Sequence, residues 1–226
     1  MNLAEHYHKL YIESIAKISS GDYETDHLID DEADQRFGIT LVIRPDAATK
    51  DKIQQFLTEA KAIEPDQYYY QNADIHITLM SIISCYEGFD LKDIHIGDYI
   101  QLIKQVLARH KHFKIQFKGL TASPSCILIQ GFLTDTLNKI RDDLRAAFKN
   151  SDLQQSIDKR YAIQTAHATV IRFRSELANI DALLSLIEKY RDFDFGTFEV
   201  KHVELVYNDW YQREKFVKKL YQFSLS

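Results

Sequence analysis

Two short runs of this 226-residue sequence carry residues that could do chemistry together, His76-Ile77-Thr78-Leu79 and His167-Ala168-Thr169-Val170. Side chains alternate across an extended strand, so in each run the imidazole and the hydroxyl two positions later share a face. Of the nine histidines in the chain, only these two are followed by Thr at that spacing. Cleaving a phosphodiester requires one group to take a proton from the attacking oxygen and another to protonate the leaving oxygen. Histidine suits both tasks near neutral pH. The hydroxyls of Thr78 and Thr169 can donate to the non-bridging oxygens as charge builds on them. Set side by side at the centre of a bilobal sheet, the two strands would gather these four groups around a phosphate-sized site with no metal. Taken singly, a strand histidine is more often a hydrogen-bonded structural residue, and a strand threonine a packing residue. The duplication is what points to function.

The elements that must hold these runs can be read from the apolar periodicity. Leu3, Tyr7, Leu10, Tyr11, Ile15 and Ile18 share one helical face, and an acidic stretch from Gly21 to Asp34 follows. Residues 1–35 therefore read as an N-terminal helical extension to a domain spanning 36–226. Phe37, Ile39, Leu41 and Ile43 alternate with their neighbours up to Pro45, as in a strand ended by proline. A helix through Ile53, Phe56, Leu57 and Ala60 precedes the first histidine strand, Ile75 to Ile83, and a helix over Asp98 to His110 follows it. Phe113 to Leu133, folding back near Pro124, reads as a hairpin. Next come a helix on Leu137, Ile140, Leu144 and Phe148, a second histidine strand over Ala166 to Phe173, and a helix on Ile180, Leu183, Leu184 and Ile187. Phe198 to Tyr207 reads as one strand, and Tyr221, Phe223 and Leu225 alternate in another. The order helix, histidine strand, helix recurs, and no Pro/Gly-rich linker separates the halves. The expectation is one α+β domain with two quasi-repeated lobes around a central cleft.

On these residues the chain resembles the two-histidine (2H) phosphoesterase superfamily, which includes bacterial RNA 2′,5′-ligase-like proteins and cyclic nucleotide phosphodiesterases. The resemblance covers roughly Phe37 to Leu225: both His-X-Thr runs, the hairpin with Gly119-Leu120, the helix after it, and the strand ending Leu205-Val206-Tyr207. It implies a bilobal fold with antiparallel sheets and outer helices, His76 and His167 as the acid/base pair, and Thr78 and Thr169 on the phosphate. Ala166 stands where many members carry proline. Arg172 occupies a position where relatives often have arginine, although strict alternation turns it from the face of Thr169 unless a bulge intervenes. Tyr207 is a further candidate for the cleft. Tyr68, Tyr69 and Tyr70 could stack on a base but fit the core better.

Composition narrows the partners. A net charge of −5 argues against coating long nucleic acid, which relies on basic surface, and favours a small nucleotide or RNA end as substrate. Cys85 and Cys126 show no disulfide or metal spacing, as expected of a cytoplasmic protein. No apolar stretch is long enough to span a membrane. His6 with His8, and His110 with His112, lack the companions of a metal site, and no phosphate-binding glycine loop or dinucleotide fingerprint is present. The expectation is a metal-independent, cofactor-free, monomeric phosphodiesterase acting on a 2′,3′-cyclic phosphate or 2′,5′ linkage. The alternatives are a nucleotide or RNA-end binding module without turnover, and a sugar isomerase using the same imidazoles.

Overall fold

The computed structural model describes residues 2–159 and 162–226. Along the chain run α1 (Leu3–Ser19), β1 (Arg36–Ile43), α2 (Ala47–Ile63), β2 (Tyr68–Tyr69), β3 (Ile77–Glu87), α3 (Ile96–Leu107), β4 (Phe113–Ser123), β5 (Cys126–Leu133), α4 (Thr136–Lys149), β6 (Ala168–Arg172), α5 (Ile180–Lys189), β7 (Asp194–Val200), β8 (His202–Asp209) and β9 (Lys218–Ser224). Helix starts follow local chemistry. Asn2 accepts from the amides of Ala4 and Glu5, Asp46 from that of Thr49 directly after Pro45, and Asn179 from that of Ala182.

The strands form two sheets, ordered β3-β1-β8-β9 and β2-β6-β5-β4-β7, with every pairing antiparallel. Helices α3 and α4 cover the first sheet, while α1, α2 and α5 cover the second. The fold is α+β and two-layered in each half, as the periodicity predicts. The chain crosses between the halves repeatedly: β1 lies in the first sheet, yet α2 directly after it packs on β6 and β7 of the second. The N-terminal helix is bound closely into the second half. Tyr7, Tyr11 and Ile18 are buried against β4 and α5, and the Tyr7 hydroxyl bonds both the amide and the carbonyl of Gly131.

Two expectations are corrected. The reading of Phe198 to Tyr207 as one strand fails at Lys201, where β7 ends in the second sheet and β8 begins in the first. Burial alternates up to Val200, then Lys201 and His202 are both exposed, and this slip of phase marks the crossing. The two histidine strands, moreover, do not lie side by side in one sheet. β3 is an edge strand of the first sheet and β6 lies within the second, so the cleft is bounded by two sheets. Among the described residues no helix is long and apolar enough to cross a membrane.

Candidate active site

Both histidines sit immediately before the first residue of their strands, His76 ahead of β3 and His167 ahead of β6. Residues His76, Thr78, His167 and Thr169 all line one cleft of about 1040 Å³ counting its open mouth. Each ring is held through Nδ1. In His76 this nitrogen lies 2.7 Å from the Asp74 carbonyl oxygen. A carbonyl only accepts, so His76 Nδ1 carries the hydrogen and Nε2 of the neutral ring is an acceptor. In His167 Nδ1 lies 2.6 Å from Thr165 Oγ1.

Both imidazoles are driven toward the neutral form. Burial, aided by the nearby Arg44 guanidinium, lowers the pKa of His76 to about 3. Burial, followed by the charge of Arg141, lowers that of His167 to about 4. Arg44 is itself anchored on the carbonyls of Ala73 and Asp74, the latter also the acceptor of His76.

A single buried side chain ties the two motifs together. Arg141 is fully buried in α4 and donates from Nε to the Leu79 carbonyl at 2.9 Å, and from Nη2 to the carbonyls of Thr78 at 3.0 Å and Thr165 at 2.8 Å. It thereby fixes the start of β3 against the segment leading into His167. That segment approaches β5 very closely. A Cβ on Gly131 would lie 2.0 Å from the Ala166 oxygen, so only glycine fits there. Arginine in the apolar stripe Leu137, Ile140, Leu144, Phe148 was the visible sign of this clamp in the sequence.

The outer part of the cleft depends on irregular strands. Three register slips in the pairing of β1 with β3 each insert one extra residue into β3. The side-chain period becomes three, so Thr78, Ser81 and Ser84 all face the cleft where strict alternation would turn Ser81 away from the other two. The run Thr-Leu-Met-Ser-Ile-Ile-Ser, hydroxyls separated by apolar doublets, carries this period in the sequence. A similar slip between Thr169 and Ile171 brings Arg172 onto the same cleft as Thr169. Arg172 Nη1 contacts Asp26 of the N-terminal segment at 3.1 Å, and its guanidinium lies 5.3 Å from the Tyr211 ring centre.

The other candidates divide. Tyr207 does not line the cleft, because it projects from the opposite face of β8 and stacks on Phe37 with ring centres 5.0 Å apart. Its neighbours Asn208, Trp210, Tyr211 and Gln212 do line it, along with Tyr70. Tyr68 and Tyr69 bond to Asp74 and the Glu64 carbonyl instead. Cys85 and Cys126 are buried and unbridged.

Comparison with known proteins agrees with this architecture. A structure of TT0787 from Thermus thermophilus superposes with a TM-score of 0.62 at 14% identity, covering 83% of this chain and 97% of that one. E. coli LigT complexed with 3′-AMP gives a TM-score of 0.55 at 16% identity, covering 85% and 98%. E. coli LigT complexed with NADP+ gives 0.54 at 13%, covering 85% and 99%. At these identities the likeness is one of fold. Curated protein sequences yield no match. The family model of the 2′-5′ RNA ligase superfamily, however, matches residues 49–211, a span that contains both histidine motifs, the arginine clamp and the β8 edge of the cleft. The chain belongs to that superfamily, within the 2H phosphoesterases.

Proposed function

We propose that the cleft cleaves a small nucleotide or RNA-end phosphodiester, a 2′,3′-cyclic phosphate or a 2′,5′ linkage, by metal-independent acid/base catalysis. The observation that carries this reading is the meeting of both His-X-Thr pairs in one cleft, each ring tethered through Nδ1. His76, whose Nε2 is an acceptor and whose burial disfavours charge most, acts as the base that takes a proton from the attacking water or hydroxyl. The attacking oxygen forms a bond to phosphorus while the leaving oxygen departs and takes a proton from His167, the more readily protonated of the pair. Thr78 and Thr169 donate to the non-bridging oxygens, and the guanidinium of Arg172 adds positive charge to the same cleft. E. coli LigT, complexed with 3′-AMP and with NADP+, supports a nucleotide as the ligand class. Two buried, unbridged cysteines support a reducing cytoplasm, and the protein acts as a monomer on this reading. The test is a screen of cyclic nucleotides, 2′,5′-linked dinucleotides and cyclic-phosphate RNA ends, with products read by mass. Turnover of one class names the substrate, and inertness toward all of them overturns the proposal.

A further inference from the structure

The wall of the cleft formed by the end of β8 and the residues after it contains two amide side chains whose oxygens lack partners. Asn208 is 2% exposed, and its amide nitrogen donates to the Asp209 carbonyl at 2.8 Å. That contact fixes which end of the amide is oxygen, and Oδ1 is left with no hydrogen bond. Gln212 is 4% exposed, and its Oε1 is likewise unpartnered. Its backbone adopts φ of 61°, a conformation uncommon outside glycine, so the chain holds this residue in place against a local preference. A third unpartnered buried atom, the donor Nε of Arg172, belongs to the same cleft.

Native structures satisfy nearly all buried polar atoms, because an orphaned acceptor forfeits its hydration with nothing in return. The three residues line one cleft, so a ligand that shifts these side chains slightly on binding can supply the missing partners. Two of them only accept and one only donates. The complementary edge carries two N–H donors and an acceptor, which a nucleobase with an exocyclic amine supplies: adenine, cytosine or guanine. Uracil has one N–H between two carbonyl oxygens, so it pairs only one of the amide oxygens and leaves the other facing a carbonyl.

We propose that Asn208, Gln212 and Arg172 form a base-recognition subsite selective for nucleotides whose base carries an exocyclic amine. The inference rests on reading the cleft as a nucleotide site and adds the substrate's base to it. Calorimetric titration of the wild-type protein with two matched pairs tests it, adenosine 3′-phosphate against purine-riboside 3′-phosphate and cytidine 3′-phosphate against uridine 3′-phosphate. Within each pair the amine-bearing member should bind at least about tenfold more tightly, as expected when its partner leaves a buried acceptor unpaired. Gln212→Met, which keeps length and removes the amide, should narrow that ratio toward one. Binding of all four nucleotides without preference overturns the subsite alone. Absence of binding by any of them overturns both the subsite and the nucleotide reading of the cleft.

Discussion

If the cleft takes a phosphate between its two imidazoles, anion binding at neutral pH must draw in a proton. Before an anion binds, His167 has its pKa lowered to about 4 and His76 to about 3, so at neutral pH neither ring holds a proton to donate. A unit negative charge about 4 Å from a ring, at an effective dielectric constant of about 20, favours the charged imidazole by about 4 kcal/mol. At roughly 1.36 kcal/mol per pKa unit, this lifts His167 from about 4 to about 7 and His76 from about 3 to about 6. His167 is charged first, and its charge then opposes a second proton on His76. Uptake per bound anion should be about half a proton at pH 7, close to one at pH 6, and almost none at pH 8.5. Sulfate is the right probe because it does not titrate in this range. Its double charge raises the ring pKa further, so uptake with sulfate should be at least as large as these unit-charge figures and extend to higher pH. Calorimetry in two buffers of different ionisation enthalpy reads the uptake directly. His167→Gln should abolish most of it, and His76→Gln should leave most of it. Sulfate binding whose heat is the same in both buffers at pH 6 would refute the electrostatic account of the cleft.

Three other outcomes follow from the same structure. Thr78→Val and Thr169→Val keep side-chain shape and delete the hydroxyl, so each should lower turnover and anion affinity roughly tenfold or more with no comparable loss of thermal stability. A variant that melts early yet keeps its activity per folded molecule would remove that hydroxyl from the phosphate site. Arg141→Met removes three hydrogen bonds to buried carbonyls, and urea unfolding should show a loss of about 3–5 kcal/mol alongside reduced activity of the folded fraction. An unchanged midpoint would show that the clamp is dispensable. Both histidines have folded pKa values below their unfolded value near 6.5, so they destabilise nothing above that pH, and stability is lost as pH falls below it toward about 4 and 3. At pH 5 each should cost about 2 kcal/mol, read as a steeper decline between pH 7.5 and 5 for wild type than for the His76→Gln, His167→Gln double variant. Equal slopes would contradict the burial of the rings.

The strand and helix order was legible because apolar periodicity reports which face is buried, and burial is what holds these elements. Thr78 and Thr169 were legible as cleft residues because each lies only two positions beyond its histidine, before any bulge disturbs the period. Beyond that point the sequence reading failed where the strands depart from regularity. Ser81 reaches the cleft through an inserted residue in β3, and Arg172 through the slip in β6, and period-two reasoning places both on the wrong face. Tyr207 was misplaced for the opposite reason: β8 keeps its alternation through Asn208, so the wall of the cleft begins one residue later. The pairing of the histidine strands across two sheets was hidden because it depends on crossovers, such as that at Lys201, which local pattern marks only faintly.

The central claim is that two imidazoles, without a metal, cleave a nucleotide phosphodiester in this cleft. The most direct measurement is the rate of product formation by wild type, His76→Ala and His167→Ala on 2′,3′-cyclic nucleotides and 2′,5′-linked dinucleotides, each with and without EDTA. The account predicts wild-type turnover unaffected by the chelator and a fall of about 10²- to 10⁴-fold in each variant, with the fold retained. Near wild-type rates in either variant, or activity lost in EDTA and restored by zinc or manganese, would contradict it.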